Sequence, residues 1–184
     1  MSSVRVIDHH DGPLTESELL AQARRGSASA LGALYEAHAA TLLRLGARIT
    51  GSASDAEDLL HDLFVGLPEL LSRYEHRSQL DAWLRAVMAR MAIGRLRQGM
   101  RRERLTSSNF ASARDSVSDP WDALDLDRAI AQLPETTRTV FVLRQIEGYS
   151  HSEIAALLDI TSGASRVRHL RALQRLRAFL EPRS

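Results

Sequence analysis

Residues 147–177, EGYSHSEIAALLDITSGASRVRHLRALQRLR, decide the fold of this chain. Ser150 and Glu153 stand three positions apart, the spacing of a capping box that starts a helix. Apolar residues follow at helical spacing, and residues 159–162 have turn-forming side chains. A second helix is predicted from Gly163, with no acidic residue and with five arginines, Arg166, Arg168, Arg171, Arg175 and Arg177. The pattern therefore predicts a helix-turn-helix whose second helix enters the major groove of DNA.

The alternative for this stretch is an amphipathic helix of an ordinary bundle, because a run of charges usually just faces water. The order of capping box, short turn and acid-free basic helix favours the helix-turn-helix, since each part stands where that motif needs it.

Composition narrows the class of protein. The chain has 184 residues, enough for two small domains, and no cysteine, which excludes disulfides, thiolate zinc sites and a cysteine nucleophile. No apolar run reaches membrane-spanning length, and the start of the chain lacks the apolar core of a signal peptide. We therefore expect a cytoplasmic protein that is neither exported nor inserted into a membrane.

The net charge of +1 conceals a strong segregation of charge along the chain. Residues 55–75 contain six acidic residues and one arginine, whereas residues 85–104 contain seven arginines and one glutamate. A chain of this kind can offer an acidic surface to one partner and basic surfaces to DNA.

Apolar periodicity predicts four helices between residues 14 and 104. Thr15 is expected to cap the first, Ser54 or Asp55 the third, and Pro68 to kink or restart the third. The second helix is predicted to turn one apolar stripe to the core, made of Leu31, Leu34, Tyr35, Leu42, Leu45 and Ile49. Trp83 is assigned to the core, and the role of Tyr74 stays open.

Residues 105–120 contain five serines and little periodicity, which is typical of a linker. Helical periodicity returns after residue 121, with one helix ending before Pro134 and another over residues 135–147. We therefore predict a flexible tail (1–13), a first domain (14–104), a linker (105–120) and a helix-turn-helix domain (121–184).

Three segments together resemble bacterial RNA polymerase sigma factors of the extracytoplasmic-function group. SASDAEDLLHDLFVGL (52–67) resembles the helix that grips the clamp helices of the polymerase beta-prime subunit. DAWLRAVMARMAIGRLR (81–97) resembles the helix that melts and reads the minus-ten promoter element. Residues 129–177 resemble the region that reads the minus-thirty-five element. The resemblance implies an all-α fold: a sigma region 2-like and a sigma region 4-like helical domain joined by a flexible linker.

The resemblance also implies partners and sites. The expected partners are promoter DNA, core RNA polymerase through its beta-prime clamp helices and beta flap, and a membrane-bound or soluble anti-sigma factor. The implied polymerase contacts are Asp55, Asp58, Leu59, Asp62, Phe64 and Leu67. The implied minus-ten contacts are Arg90, Arg95, Arg97 and Arg101. The implied minus-thirty-five contacts are Ser150, Gly163, Ser165, Arg166, Arg168, His169 and Arg171.

The chain departs from the family pattern in both DNA-reading helices. Arg90 and Gly94 stand where the family usually has Asn and Asp. Ser165, Val167 and His169 stand where Val, Ser and Leu are usual. We expect Ser165, Arg166 and His169 to be exposed, and Val167 and Leu170 to pack against Ile154 and Leu158. In the family register Ser165 and His169 would instead turn inward, at a cost of roughly 1–3 kcal/mol each unless they find partners.

Other functions are less well supported by the sequence. A DNA-binding response regulator or another helix-turn-helix transcription factor would share the C-terminal motif, but its first domain would show alternating strands and helices or a ligand pocket. A sigma-like protein that sequesters an anti-sigma factor is a further alternative. Asp8-His9-His10-Asp11 and His61-Asp62 resemble metal-binding dipeptides of phosphoesterases and phosphohydrolases. The first lies in the predicted tail, and the second lies in an acidic helix without a matching histidine one turn away. We therefore expect no enzymatic activity, cofactor, metal or small-molecule substrate.

Overall fold

The computed structural model describes residues 15–75, 78–105 and 125–180, and within these ranges all regular structure is helical. The predicted tail (1–13) and nearly all of the predicted linker (105–120) lie outside the described residues. The helices before the linker are α1 (Glu16–Arg24), α2 (Ala28–Thr50), α3 (Ala53–Val65), α4 (Leu67–Ser72) and α5 (Leu80–Leu105). Those after it are α6 (Asp125–Ala131), α7 (Glu135–Phe141), α8 (His151–Leu158) and α9 (Ser162–Leu180).

Local signals set most helix starts. Thr15 caps α1 as predicted, since its hydroxyl accepts a hydrogen bond from the amide of Glu18 while the Glu18 carboxylate accepts from the amide of Thr15. The predicted cap of α3 was wrong. Ser52, and not Ser54 or Asp55, caps this helix, because its Oγ accepts from the amide of Asp55 at 3.1 Å.

Proline separates α3 from α4, as predicted. The first helix ends at Val65, and Pro68 occupies the first turn of the second. Proline has no amide hydrogen to donate to the preceding turn, so it is tolerated at a helix start and ends a continuous helix before it.

The core of the first domain lies between α2, α3 and α5. Its largest fully buried side chains include Leu42, Ile49, Leu63, Leu84 and Met88. Gly46 allows α2 to approach the other two helices closely, because a Cβ at this position would lie 2.9 Å from the Met88 methyl and 3.2 Å from the Ala56 Cβ. Tyr35 was wrongly assigned to this core: it is 47% exposed on the outer side of α2.

The second domain contains a π-helical turn that the periodicity did not predict. Residues Val142–Ile146 continue α7 with wider hydrogen bonding, and the amide of Glu147 donates to the carbonyl of Val142 at 3.1 Å. The chain then enters α8 through the predicted capping box, in which Ser150 and Glu153 exchange hydrogen bonds. These bonds lower the pKa of Glu153.

The turn of the helix-turn-helix ends α8 at Asp159, which adopts left-handed backbone angles with φ 55°. The hydroxyl of Thr161 accepts from the amide of Ala164 at 3.1 Å and caps α9. The second helix therefore begins at Ser162, one residue before the predicted start.

The two domains pack against each other through α2 with α6 and α7, and through α5 with α8. Their buried side chains form one continuous apolar cluster. Among the described residues, no helix combines the length and hydrophobicity needed to cross a bilayer.

The cap of α3 gives a direct test of the local account. Ser52→Ala should lower the free energy of unfolding by about 1 kcal/mol, because the amide of Asp55 loses its acceptor. Denaturant unfolding followed by circular dichroism measures this. Ser54→Ala is the matched control and should change stability by less than half as much; equal losses in both variants would mean that Ser52 is not the operative cap.

Candidate nucleic-acid and partner interfaces

The rotation of α9 differs from the one expected from its apolar residues. Ser165 is fully buried, whereas Val167 is 48% and Leu170 is 56% exposed. The predicted exposure of Ser165 and the predicted packing of Val167 and Leu170 on α8 were therefore wrong. The helix adopts the family register, with two polar side chains turned toward α8.

A partner across the motif explains how the helix accommodates a buried serine. The Nδ1 atom of His151, the first residue of α8, lies 2.9 Å from the Oγ of Ser165. This hydrogen bond satisfies the hydroxyl, so its burial carries little of the cost of an unpaired polar group.

His169 was predicted to meet DNA, but it lies half-buried one turn further along α9. Its ring stacks on Phe141 with centroids 6.4 Å apart and lies 5.6 Å from the ring of His151. Its Nε2 atom is buried without a hydrogen-bond partner among the residues described. Burial lowers the pKa of both His151 and His169; the charge of Arg144 acts in the same direction on both, and that of Arg166 on His151.

The outward face of α9 combines cationic and apolar side chains. Arg166, Val167, Leu170 and Arg171 are exposed at positions that repeat with the helical period, and Gln174 and Arg175 extend the same face. Guanidinium groups pair with guanine edges and phosphates, and apolar side chains contact thymine methyl groups. Sequence reasoning missed Val167 and Leu170 here because it assumed that apolar residues pack inward.

The other predicted residues of this motif occupy different positions. Gly163 is exposed at the start of α9, and the hydroxyl of Ser150 caps α8. Arg168 is half-buried and lines a crevice with Arg97 of α5, Glu135 of α7 and Leu158 of α8. It therefore points toward the first domain and away from the face that carries Arg166.

The acidic helix α3 presents only part of the predicted polymerase set. Asp58 and Asp62 are exposed, while Asp55 is half-buried in an ion pair with Arg95 at 3.2 Å. Leu59 and Leu67 are 4% and 0% exposed, so the expectation that they contact a partner needs correcting. Leu59 packs in the core from the inward apolar face of α3, and Leu67 packs in the core as the first residue of α4.

An exposed apolar patch lies beside these carboxylates. Phe64 is half-buried and meets the ring of Tyr35 edge-on at a centroid distance of 4.9 Å. Val65, the last residue of α3, is 68% exposed. Apolar side chains in contact with each other on a surface are typical of a protein interface, whereas isolated ones are not. The patch adds Tyr35 and Val65 to the predicted polymerase surface, which included Phe64 alone among these three residues.

The four arginines predicted to contact the minus-ten element differ in their ion pairs, hydrogen bonds and exposure. Arg95 pairs with Asp55 and lies 3.8 Å from Asp58. Arg97 donates from Nη2 to the carbonyl oxygen of Leu157 in α8, at 2.7 Å. Arg90 and Arg101 are exposed.

The two aromatic residues near α5 belong to the core. Tyr74 is buried, its hydroxyl donates to the carbonyl of Ser78, and its ring lies 5.1 Å from that of Trp83. Trp83 packs against the core as predicted. No group of three or more potential metal ligands occurs within the described ranges, His61 and Asp62 are both exposed, and residues 8–11 lie outside those ranges.

Comparison with known protein families matches both halves of the chain. Residues 34–102 match Sigma-70 region 2, and residues 123–176 match Sigma-70, region 4. The RNA polymerase sigma factor CarQ of Myxococcus xanthus is 33% identical over 161 residues, covering 85% of this chain and 92% of that protein. The ECF RNA polymerase sigma factor SigF of Caulobacter vibrioides is 31% identical over 167 residues, covering 88% and 93%.

Two solved structures share the fold. The sigma factor RpoE in complex with the anti-sigma factor NepR, from Bartonella quintana, has a TM-score of 0.53 and 22% identity, covering 78% of this chain and 92% of that one. CnrH in complex with the cytosolic domain of CnrY has a TM-score of 0.50 and 25% identity, covering 90% and 97%.

These matches define a transcription initiation factor built from sigma regions 2 and 4, a class of protein that directs RNA polymerase to promoters and is not itself enzymatic. The chain belongs to the extracytoplasmic-function group of bacterial sigma factors. The alternative of a response regulator is wrong, because the first domain is helical and matches region 2.

The two half-buried histidines, His151 and His169, predict that the stability of the second domain depends on pH. The pKa of each is lower in the folded protein than in the unfolded chain, so the unfolded chain binds more protons as pH falls below about 6.5. Stability should therefore be complete above this pH and decline below it. His169→Leu should reduce the decline and raise stability by about 1–3 kcal/mol, because it removes a buried unpaired nitrogen.

Thermal unfolding between pH 5 and 8, followed by circular dichroism, measures this effect. Gln174→Leu, at an exposed position of α9 that carries no titratable group, is the control and should leave the slope with pH unchanged. An identical pH slope in wild type and His169→Leu would contradict the assignment to His169.

Proposed function

We propose that the chain binds core RNA polymerase through α3, reads the minus-ten element with α5 and reads the minus-thirty-five element with α9. The observation that carries the proposal is the outward face of α9, where Arg166 and Arg171 flank Val167 and Leu170 away from the core. This arrangement suits sequence-specific reading, because it combines bidentate donors with apolar side chains that fit thymine methyls.

The polymerase surface in this proposal comprises the exposed carboxylates of α3 and the neighbouring apolar patch. Asp58 and Asp62 supply charge, and Phe64, Tyr35 and Val65 supply apolar area. A charged rim around an apolar centre is the usual composition of a protein interface. The expected polymerase element is the beta-prime clamp helices, with the beta flap contacting the second domain.

The minus-ten surface is assigned to α5 through Arg90, Arg95, Arg97 and Arg101. Arg101 is exposed and well placed for phosphate contact, which contributes most of the affinity in protein–DNA complexes. Gly94 adjoins open space and lines a groove with Asp55, Asp62 and Arg95, so the chain is open where the family usually has a carboxylate.

An anti-sigma factor is a further proposed partner. One of the two solved structures of similar fold is a complex of a sigma factor with an anti-sigma factor. The other is a complex of CnrH with the cytosolic domain of a second protein, CnrY. The exposed surfaces of α3 and α9 are the regions that such a partner would have to cover to block polymerase and DNA.

In-vitro transcription with core polymerase tests the function directly. The wild-type chain should support initiation from a subset of a promoter library, since only a true sigma factor replaces sigma. A conventional regulator or a protein that merely sequesters an anti-sigma factor would yield no transcript, and that result would contradict the proposal.

The polymerase surface is tested by Asp58→Arg with Asp62→Arg. This double variant should weaken binding to core polymerase at least about tenfold, because it reverses two exposed charges at the proposed interface. Native-gel binding measures the affinity. The control is Glu16→Arg with Glu69→Arg, which makes the same change in net charge at exposed positions of α1 and α4. Equal affinities of the two double variants would remove the α3 assignment.

The DNA surface of α9 is tested by two arginines with different expected roles. Arg166→Ala should cost about 1–3 kcal/mol on the preferred promoter and relax selectivity at one upstream base, as expected for loss of a bidentate base contact. Arg171→Ala should weaken all promoters alike and reduce the dependence of binding on salt, as expected for a phosphate contact.

Binding of the holoenzyme to promoters randomised at the upstream element separates the two outcomes. Arg177→Ala, near the end of α9, is the control and should keep the base preference. If Arg171→Ala relaxed the base preference and Arg166→Ala weakened all promoters alike, Arg171 would be the base contact and Arg166 the phosphate contact.

A further inference from the structure

Two exposed apolar side chains lie side by side on the outward face of α9. Val167 is 48% and Leu170 is 56% exposed, and residues three positions apart are neighbours on a helix surface. Successive residues turn by about 100° around a helix, so this pair lies opposite the buried Ser165 and Ala172. The pair therefore contributes little to the packing of α9 on its own domain.

Arginines border the apolar pair on both sides. The same rotation places Arg166 at one edge of the pair and Arg171 at the other, and both side chains are exposed. No acidic residue occurs in α9, so no charge on this helix offsets the two guanidinium groups. The outward face is thus a narrow apolar strip between two cations.

Gly163 leaves the start of this strip without a side chain. It lies one helical turn before Val167, on the same face. Among the described residues, a Cβ at this position would contact the Thr161 hydroxyl oxygen alone, at 3.8 Å, and the φ of Gly163 is not positive. Neither packing nor backbone conformation requires glycine here. Its small size instead allows the first turn of α9 to approach a partner closely.

The charge and the size of the strip identify the chemistry of its partner. A stable protein interface buries about 800 Å² on each side, far more than two side chains supply. The flanking arginines complement a polyanion, and within the major groove the apolar group on a base edge is the C5-methyl of a pyrimidine.

The spacing of the two side chains matches adjacent base pairs. A helix rises about 1.5 Å per residue, so Val167 and Leu170 are offset by about 4.5 Å along the axis of α9. Base pairs stack at about 3.4 Å, which is close to this offset. Each side chain can therefore meet the methyl group of a different base pair.

We infer that Val167 and Leu170 determine promoter specificity by binding the C5-methyl groups of pyrimidines at two adjacent base pairs of the upstream element. The inference rests on the proposed promoter-reading function and deepens it, because it names the chemical group that is recognised. Thymine carries this methyl group in ordinary DNA, and 5-methylcytosine presents the same group in a G·C pair.

Replacement of thymine by uracil tests the inference, since it removes the methyl group and leaves the hydrogen-bonding edge intact. The full-length chain with core polymerase first selects its preferred upstream element from a randomised duplex. Single uracil substitutions should then weaken binding about three- to fivefold at each of two adjacent base pairs, the factor expected for one buried methyl. Substitutions at other positions of the element should change the affinity less.

Two variants assign each methyl group to one side chain. Val167→Ser should abolish the uracil effect at one of the two base pairs and keep it at the other, and Leu170→Gln should do the reverse. Both positions are exposed, so the fold should persist. The control is Phe179→Gln, which makes the same apolar-to-polar change at a 57% exposed position further along α9 and should keep both effects.

A second arm distinguishes the methyl group from the rest of the base. At each of the two base pairs, a G·C pair with 5-methylcytosine should bind more tightly than the same pair with cytosine, by about the factor lost with uracil. This gain should disappear in the variant whose side chain faces that position. A preference for thymine without any gain from 5-methylcytosine would overturn methyl recognition.

The remaining outcomes separate the inference from the proposed function. Unchanged affinity on uracil substitution, or equal losses in wild type and in Val167→Ser and Leu170→Gln, would overturn the inference while selection of a defined element still upheld promoter reading. Variants that keep both uracil effects but bind core polymerase more weakly would assign the strip to a protein partner. Failure of the wild-type holoenzyme to select any element would instead overturn the proposed function.

Discussion

The hydrogen bond between His151 Nδ1 and Ser165 Oγ is the interaction on which the arrangement of the DNA-reading motif depends. It joins the first turn of α8 to the first turn of α9 and gives a buried hydroxyl its partner. With Ser165 turned inward, the helical period carries Arg166, Val167, Leu170 and Arg171 outward. One polar pair thus fixes which side chains of the helix are presented to DNA.

His169 shows that polar residues in the contact between α8 and α9 reduce the stability of the motif. Its ring fills the space beside Phe141, but its Nε2 has no hydrogen-bond partner in the described part of the chain. Natural proteins retain buried polar atoms without a hydrogen-bond partner where selection for function, or the absence of selection for more stability, allows it. Here the motif gains a dependence on pH that the usual Val and Leu at positions 165 and 169 would not give.

Local rules predicted most of the fold from the sequence. The capping boxes at Thr15 and Ser150 and the break at Pro68 each depend on residues within one turn, so their outcome is set locally. The π-helical turn after Phe141 was missed because its apolar spacing resembles that of an α-helix. The family resemblance supplied the two-domain order, which the matches to regions 2 and 4 support.

The site was less predictable because it depends on partners distant in sequence. Apolar Val167 and Leu170 were expected inside, and only His151, fourteen residues before Ser165, shows why a serine takes that place. Leu59 and Leu67 were selected by resemblance although their periodicity already placed them in the core. The contact of Arg138 with Thr50 joins residues 88 positions apart in sequence, and no local sequence pattern predicts it.

Cysteine accessibility tests the orientation of α9 most directly, because the chain contains no cysteine of its own. Single variants Ser165→Cys and Val167→Cys are treated with a maleimide, both as free protein and in complex with core polymerase and promoter DNA. The account predicts that the thiol at 167 reacts in the free protein and is protected in the complex, whereas the thiol at 165 stays unreactive in both. A thiol at 165 that reacts freely and is protected by DNA would contradict it.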